Sequence, residues 1–374
     1  MKELIPEQIQ ILAQGCPFPL YVTGGAVRDC LAGLKCAADW DLAAPVSAET
    51  FEKAACKCGF TVQSVYKHTG TVNVSKEGVK IEFTSFRSDK YRRGEHAPCD
   101  VVFTDDIETD AKRRDFKCNA VYYEIARGEF VDPLGGIRDI RDKIISTTRE
   151  ADEVFSEDGL RLMRLARQAA QLGFTPDFPT LFGAKFNAAL IGKISVERVF
   201  SELMLILHAD EKYGIPYAQY NGLKVLQSTD VLRYILPELA LGDGMPQRAD
   251  FHDHDVLEHT LRTVKYADRR IRLAALLHDV GKPYCYRNFG NYHRHEIEGA
   301  RIAEEILTRL KAPNKVIEDT VALTRTHMYD LNNQTKESKI RAFIVENFAL
   351  YPRILLVKQA DYSGCKDDLH VCPT

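Results

Sequence analysis

The periodicity of the apolar residues changes once along the chain, and that change limits the fold more than any bulk property. From Leu20 to about Ile145, short β-rich runs (YVTGG, TVNVS, KIEFTSF, AVYYEI, EFVDPLGG) alternate with turn residues. Runs of this kind, bounded by Gly, Pro, Asn and Asp, predict strands of a mixed sheet with helices packed on it. After Thr147 the apolar residues return at a spacing of ~3.6, through LRLMRLARQAAQLGF, VERVFSELMLIL, LEHTLRTVKYA, IRLAALLHDV and ARIAEEILTRL. The expected class is therefore α+β, with the sheet confined to residues 1–147 and only helices beyond. Charged, Gly and Pro residues between Ala209 and Pro216 mark a second break, so the helical part divides into 148–210 and 211–374. There is no internal repeat and no low-complexity segment.

Bulk properties exclude several classes. With 45% hydrophobic and 28% charged residues the chain reads as a soluble globular protein. The N-terminus has no export pattern, and no run approaches the ~18 apolar residues of a membrane span, so a cytoplasmic protein without a membrane partner is expected. Ten scattered cysteines, none in a Cys-x-x-Cys pair, predict reduced thiols, and Cys56 and Cys58 alone are too few for structural zinc. The net charge of −3 rules out a uniformly basic coat. Any RNA affinity must come from local basic clusters: Arg87, Lys90, Arg92 and Arg93; Lys112, Arg113, Arg114 and Lys117; Arg161, Arg164 and Arg167; or Lys265, Arg269, Arg270 and Arg272.

The first chemically informative segment is YVTGGAVRDCLAGLKCAADWDLA. Residues i and i+2 of a strand share a face, so Asp39 and Asp41 present two carboxylates side by side, an arrangement that holds a divalent cation against a nucleoside triphosphate. Gly24 and Gly25 let backbone N–H groups approach phosphate closely, and Arg28 offers a planar fork for phosphate oxygens. Glu82 in KIEFTSF is the candidate third carboxylate.

GGAVRD followed by DWD resembles the signature of polymerase-β-type nucleotidyltransferases, in the bacterial class that includes CCA-adding tRNA nucleotidyltransferases and poly(A) polymerases. RRDFKCNA, with Arg114, Asp115 and Asn119, is similar to the family's second motif, whose Arg and Asp bind ribose. DPLGGIRDI, with Asp132, Gly135 and Gly136, looks like the hinge between a catalytic head and a neck. SEDGLRLMRLARQ resembles the protein template that chooses CTP or ATP. On one helix Asp158 and Arg161 would be neighbours at i and i+3, presenting an acceptor and a donor to a base edge, with Arg164 and Arg167 turned toward phosphates or salt bridges. ISVERVFSEL, with Glu197 and Arg198, is similar to the last neck motif. The loop FRSDKYRRGEHAPCDVVF departs from the family pattern, having Arg93 and Glu95 where Asp and Arg are commoner. In the family that loop couples the switch from C to A addition, so the departure bears on the product.

The C-terminal part carries His259, His278-Asp279, His295, His327 and Asp361. Imidazoles and carboxylates converging from several helices make a transition-metal site. The order H…HD…H…H…D, with HDVGKP, looks like the HD phosphohydrolase superfamily. That resemblance implies a divalent-metal phosphatase or phosphodiesterase for 2′,3′-cyclic or 2′-phosphates, with Lys282 near the phosphate; His252, His254, His293 and His370 match less well and are expected at the surface.

Together the resemblances imply a nucleotidyltransferase head over 1–147, a helical neck over 148–210 and an HD-type helical domain over 211–374. They imply Mg²⁺ at Asp39 and Asp41, and Ni, Mn, Co or Fe at the HD residues. The implied partners are tRNA, CTP and ATP, with no DNA; the oligomeric state is left open. Four readings stand: CCA addition, poly(A) or partial addition, an HD phosphohydrolase with an inert head, and an RNA-binding protein with decayed sites.

Overall fold

The computed structural model describes residues 1–35, 39–248, 250, 252–330, 334–367 and 369–372. Cys36 lies outside them. The chain forms two compact units, one of Met1–Arg161 with Phe174–Leu190 and one of Leu162–Gly173 with Ile191–Thr374.

In the first unit the strands are β1 (Tyr21–Thr23), β2 (Asp39–Ala44), β3 (Thr61–Tyr66), β4 (Thr71–Lys76), β5 (Val79–Ser85), β6 (Arg87–Lys90), β7 (Asp100–Phe103), β8 (Tyr122–Glu124), β9 (Glu129–Val131), β10 (Ile144–Ile145) and β11 (Thr175–Pro176); β11, which pairs in parallel with β10, corrects the expectation of helices alone beyond residue 147. Seven of them form one sheet in the order β3-β4-β5-β2-β1-β8-β9, while β6 and β7 make a separate hairpin. The sheet is mixed: β2 runs parallel to β5 and antiparallel to β1. Trp40 and Leu42 of β2 are buried, while Asp39 and Asp41 between them are exposed. This alternation puts the acids on the open face. Helix Ala48–Lys57 covers the opposite side, where Phe51 stacks on Phe83 of β5 at 3.8 Å between ring centroids. Ala43, Phe86, Ala111, Ala120 and Tyr122 close the core behind β1 and β8.

The second unit is helical, as the 3.6 spacing predicts. Its helices include Val196–Leu207, Val256–Tyr266, Arg272–Leu277, His295–Arg309, Asn314–Thr326 and Tyr351–Lys366. Helices Val256–Tyr266 and Tyr351–Lys366 cross closely at Gly364, where a Cβ would stand 2.5 Å from Thr263 Oγ1 and 2.7 Å from Thr263 N. Only glycine admits that approach. Among the described residues no helix is long and apolar enough to cross a membrane, and no disulfide joins the described cysteines.

Several sequence expectations are corrected here. Asp158 and Arg161 do not share one helix. Helix Ala151–Glu157 ends at Asp158, whose backbone is extended, and a new helix runs Leu160–Leu172. The break falls at Gly159, where a Cβ would lie 2.7 Å from the Leu190 carbonyl oxygen. The basic clusters are only partly open: Lys90, Arg92, Arg93, Lys112, Arg269 and Arg270 are exposed, but other members are spent on internal acids. Arg113 and Arg114 pair with buried Asp110, and buried Arg272 makes a two-pronged pair with Asp210 at 2.6 and 2.7 Å. At the Gly-Gly of DPLGG, Gly135 takes φ +80°, and a Cβ on Gly136 would meet the Lys117 carbonyl oxygen at 2.1 Å. Asp132 accepts from the N–H groups of both Gly136 and Ile137. Glu197 and Arg198 are exposed.

Candidate functional sites

In the first unit, register brings the acids together. Asp41 lies opposite Thr23 of β1 on one side and Glu82 of β5 on the other, and Asp39 lies opposite Lys80. Asp39, Asp41 and Glu82 therefore share one face at the end of β1, where the chain turns through Gly24. Gly24 has φ +70°, a conformation that favours glycine, and a Cβ there would stand 2.8 Å from Asp41 Oδ2 and press on that carboxylate. Gly25 begins the helix Gly25–Leu31. An all-carboxylate donor set suits a hard cation such as Mg²⁺.

Arg28 differs from the sequence expectation of an open phosphate fork. It is buried, its Nε and Nη2 donating to Asp29 Oδ1 at 2.9 and 2.6 Å and its Nη1 to Asn119 Oδ1 at 2.7 Å. Asn119 Nδ2 in turn donates to Asp115 Oδ1 at 2.9 Å, which also accepts from Phe116 N. A continuous polar chain thus ties the Gly-Gly turn to RRDFKCNA. Asp29 was not singled out in the sequence, although it stands inside GGAVRD; a buried arginine needs such a partner.

Arg114 donates to Tyr122 Oη at 3.0 Å and to Asp110 Oδ2 at 3.2 Å, while Arg113 holds the other Asp110 oxygen at 2.8 Å. Asp110 was also missed; its signal is the i, i+3 and i, i+4 spacing to the two arginines. Burial opposes its charge, but Arg113, Arg114 and the Tyr122 hydroxyl hold its carboxyl at about 2, against an ordinary 3.8. A depressed carboxyl stabilises the fold fully above its unfolded value, and the contribution is lost as pH falls through its folded value. Between about pH 4 and pH 2 this group alone is expected to remove about 2 kcal/mol from urea-unfolding stability. Asp110→Asn should be less stable at neutral pH and show a flatter acid slope.

Asp158 caps the following helix, accepting from Leu160 N at 2.9 Å through Oδ1, while its Oδ2 accepts from His96 Nδ1 at 2.9 Å. His96 belongs to the loop that departs from the family pattern. Gly94 of the same loop donates to the Ser156 carbonyl at 2.6 Å. Arg161 is buried; it donates to Glu157 Oε2, the Val154 carbonyl and the Arg113 carbonyl, and lies over the Tyr91 ring. In the second unit, Arg164 is half-buried and Arg167 pairs with Glu202 at 2.6 Å.

The HD residues converge within the second unit. His259 comes from helix Val256–Tyr266, His278 and Asp279 follow helix Arg272–Leu277, His295 opens its helix, His327 closes another, and Asp361 lies on Tyr351–Lys366. The four imidazoles are buried. His259 Nε2 and His278 Nε2 face each other at 3.3 Å, as do His295 Nε2 and His327 Nε2. Asp279 stands between the pairs. Its Oδ2 lies 3.3 Å from His259 and 3.2 Å from His278, its Oδ1 is 3.1 Å from His295, and Asp361 Oδ1 is 3.1 Å from His259. Three of the rings are aimed by the same device, Nδ1–H donating to the carbonyl three residues back: Ala275, Tyr292 and Thr324. That fixes their Nε2 lone pairs inward.

Such facing ring nitrogens are satisfied by a cation or a shared proton, and the N/O donor set suits a transition metal. Without a cation, burial opposes charge, yet Asp279 and Asp361 hold His278 up to about 9, while burial and the charges of His278 and His295 push His327 down to about 3. Lys282 reaches Asp279 Oδ2 at 2.5 Å and donates to Gln247 Oε1 at 2.7 Å. Contrary to expectation, His252 is not a surface residue; it is half-buried with its ring 4.7 Å from that of His259. His254 is half-buried, and His293 and His370 are exposed.

Comparison with known proteins covers the segments that carry both sets of residues. The poly A polymerase head domain family matches residues 20–146, the probable RNA and SrmB-binding site of polymerase A matches 173–241, and the HD domain matches 256–361. The A-adding tRNA nucleotidyltransferase of Deinococcus radiodurans is 30% identical over 94% of this chain and 78% of its own length. The CCA-adding enzyme of Geobacillus kaustophilus is 38% identical over 60% of this chain, which spans about half (52%) of that relative. The solved structure of the Bacillus stearothermophilus CCA-adding enzyme with CTP superposes with a TM-score of 0.67 at 28% identity, over 96% of this chain and 77% of that one. The head and HD matches of this chain both imply dependence on divalent metal. The chain belongs to the tRNA nucleotidyltransferase family built on the poly(A) polymerase head.

Proposed function

We propose that this enzyme adds CMP and AMP, taken from CTP and ATP, to the 3′ end of tRNA without a nucleic-acid template. The observation that carries this reading is the register that aligns Asp39, Asp41 and Glu82 beside the Gly24 turn. These carboxylates would hold Mg²⁺, which when bound favours the ionised 3′-hydroxyl and neutralises the departing pyrophosphate. Gly24 and Gly25 offer backbone N–H groups to the triphosphate. Arg28 acts as a positioning residue, linking that turn to Asn119. Arg114, Asp115 and Asn119 serve the ribose, and Asp158 and Arg161 the base edge; Arg164 and Arg167 brace the helix that follows.

A second reading, addition of A alone, is favoured by the loop departures at Arg93 and Glu95 and by the similarity to an A-adding relative over most of the chain. Incubating tRNA that lacks its 3′ end with CTP, ATP or both, then sequencing the products, tests the function. A CCA end supports the first reading, a single A on tRNA already ending in CC supports the second, and a long A tract or no extension overturns both. Arg161→Ala should relax selection among the four NTPs by about tenfold, ~1.4 kcal/mol, measured as the ratio of kcat/KM values; unchanged selectivity removes Arg161 from base choice.

For the HD residues we propose a phosphohydrolase centre. His259, His278, Asp279 and Asp361 on one side and His295, His327 and Asp279 on the other would hold Ni, Mn, Co or Fe, with Lys282 near a 2′,3′-cyclic or 2′-phosphate.

A further inference from the structure

One histidine of the HD centre is held differently from its three counterparts. His278, His295 and His327 each spend Nδ1–H on a backbone carbonyl. His259 is fully buried, and its Nδ1 is not spent on a backbone carbonyl; the group it interacts with there is the Cys365 thiol, at a geometry too poor for a full hydrogen bond. The buried Nδ1 of His252, whose ring lies edge-on to His259, has no hydrogen-bonding partner among the described residues. The third group at this place is Cys365, one turn beyond Asp361 on the helix that crosses His259's helix at Gly364. A ring nitrogen of His252, a ring nitrogen of His259 and the Cys365 sulfur all lie within 4.8 Å of one another.

Two imidazole nitrogens, neither spent on a backbone carbonyl, and a thiol form an N₂S donor set. Leaving buried polar atoms unpaired is costly, about 1–3 kcal/mol each. A cation with bonds of about 2.0–2.3 Å removes that cost, and thiolate with imidazole selects Zn²⁺ over the hard cations. We propose that His252, His259 and Cys365 form a separate thiophilic site for Zn²⁺, back to back with the HD centre and sharing the His259 ring. Binding exchanges the Cys365 S–H bond for a metal–thiolate bond and releases that proton to solvent. Where the HD side of the same ring is also metallated, the His259 Nδ1 proton is released too, leaving a bridging imidazolate, so occupancy of the two faces is energetically coupled. This rests on His259 being common to both sets and not on the HD centre being loaded.

The test uses the full chain equilibrated with Zn²⁺ and freed of excess, with bound zinc counted by atomic emission and Cys365 alkylation followed by peptide mass spectrometry. Wild type should carry one more zinc than either Cys365→Ser or His252→Ala, and zinc should slow Cys365 alkylation at least tenfold. His295→Ala, which alters only the far half of the HD centre, should keep that protection even if the phosphohydrolase reading fails. Equal zinc counts in wild type and both variants, or a Cys365 thiol that alkylates at the same rate with and without zinc, overturns the proposal.

Discussion

Asp41→Ala is expected to lower nucleotide incorporation by about a thousandfold or more, ~4 kcal/mol of transition-state stabilisation, while leaving the fold intact. The side chain is exposed, and its strand is pinned on both edges, to β1 by Thr23 and to β5 by Glu82. Removing one carboxylate therefore costs little packing and takes away a charge from the one face where three meet. Primer extension with CTP and ATP reads the chemistry, and thermal unfolding checks the fold. Incorporation within tenfold of wild type, at unchanged stability, would remove Asp41 from the reacting centre.

Gly281→Ala should dismantle the HD centre without touching a ligand. Gly281 has an ordinary negative φ, so its glycine is required by space alone. A Cβ there would stand 2.2 Å from the His295 carbonyl oxygen and 2.5 Å from Gly299 N. Backbone cannot yield as a side chain can, so the helix that carries His295 must shift away from Asp279. Overpacking of this kind costs ~1–3 kcal/mol or more, and the expected result is a lower Tm together with loss of bound transition metal. Gly192→Ala is the control, because nothing lies within 4 Å of a Cβ at that position. Retained metal content in Gly281→Ala would show that His295 is not placed by this contact.

The sequence revealed most where chemistry and periodicity impose spacing. Alternation in DWDLAA put Asp39 and Asp41 on one face, and the structure adds only which neighbours share it. The six HD residues were legible because each sits at a helix end or on a helix face. What was hidden is what distant backbone decides. The break at Gly159 depends on the Leu190 carbonyl, which no local pattern near Asp158 announces. Arg113, Arg272, Arg161 and Arg167 looked available because sequence shows the arginines but not that Asp110, Asp210, Glu157 and Glu202 reach them. His252 looked superficial because its neighbour His259 becomes one only after the helices pack.

One carboxylate carries a consequence for the order of events. Asp158 spends one oxygen starting a helix and the other on the His96 imidazole of the loop that departs from the family pattern. If a base takes the second oxygen, as proposed above for Asp158, it must first evict His96, and nucleotide admission and loop departure would then share a single equilibrium. On that reading, reciprocity requires that whatever steadies the loop in its docked position would weaken the incoming nucleotide by the same factor.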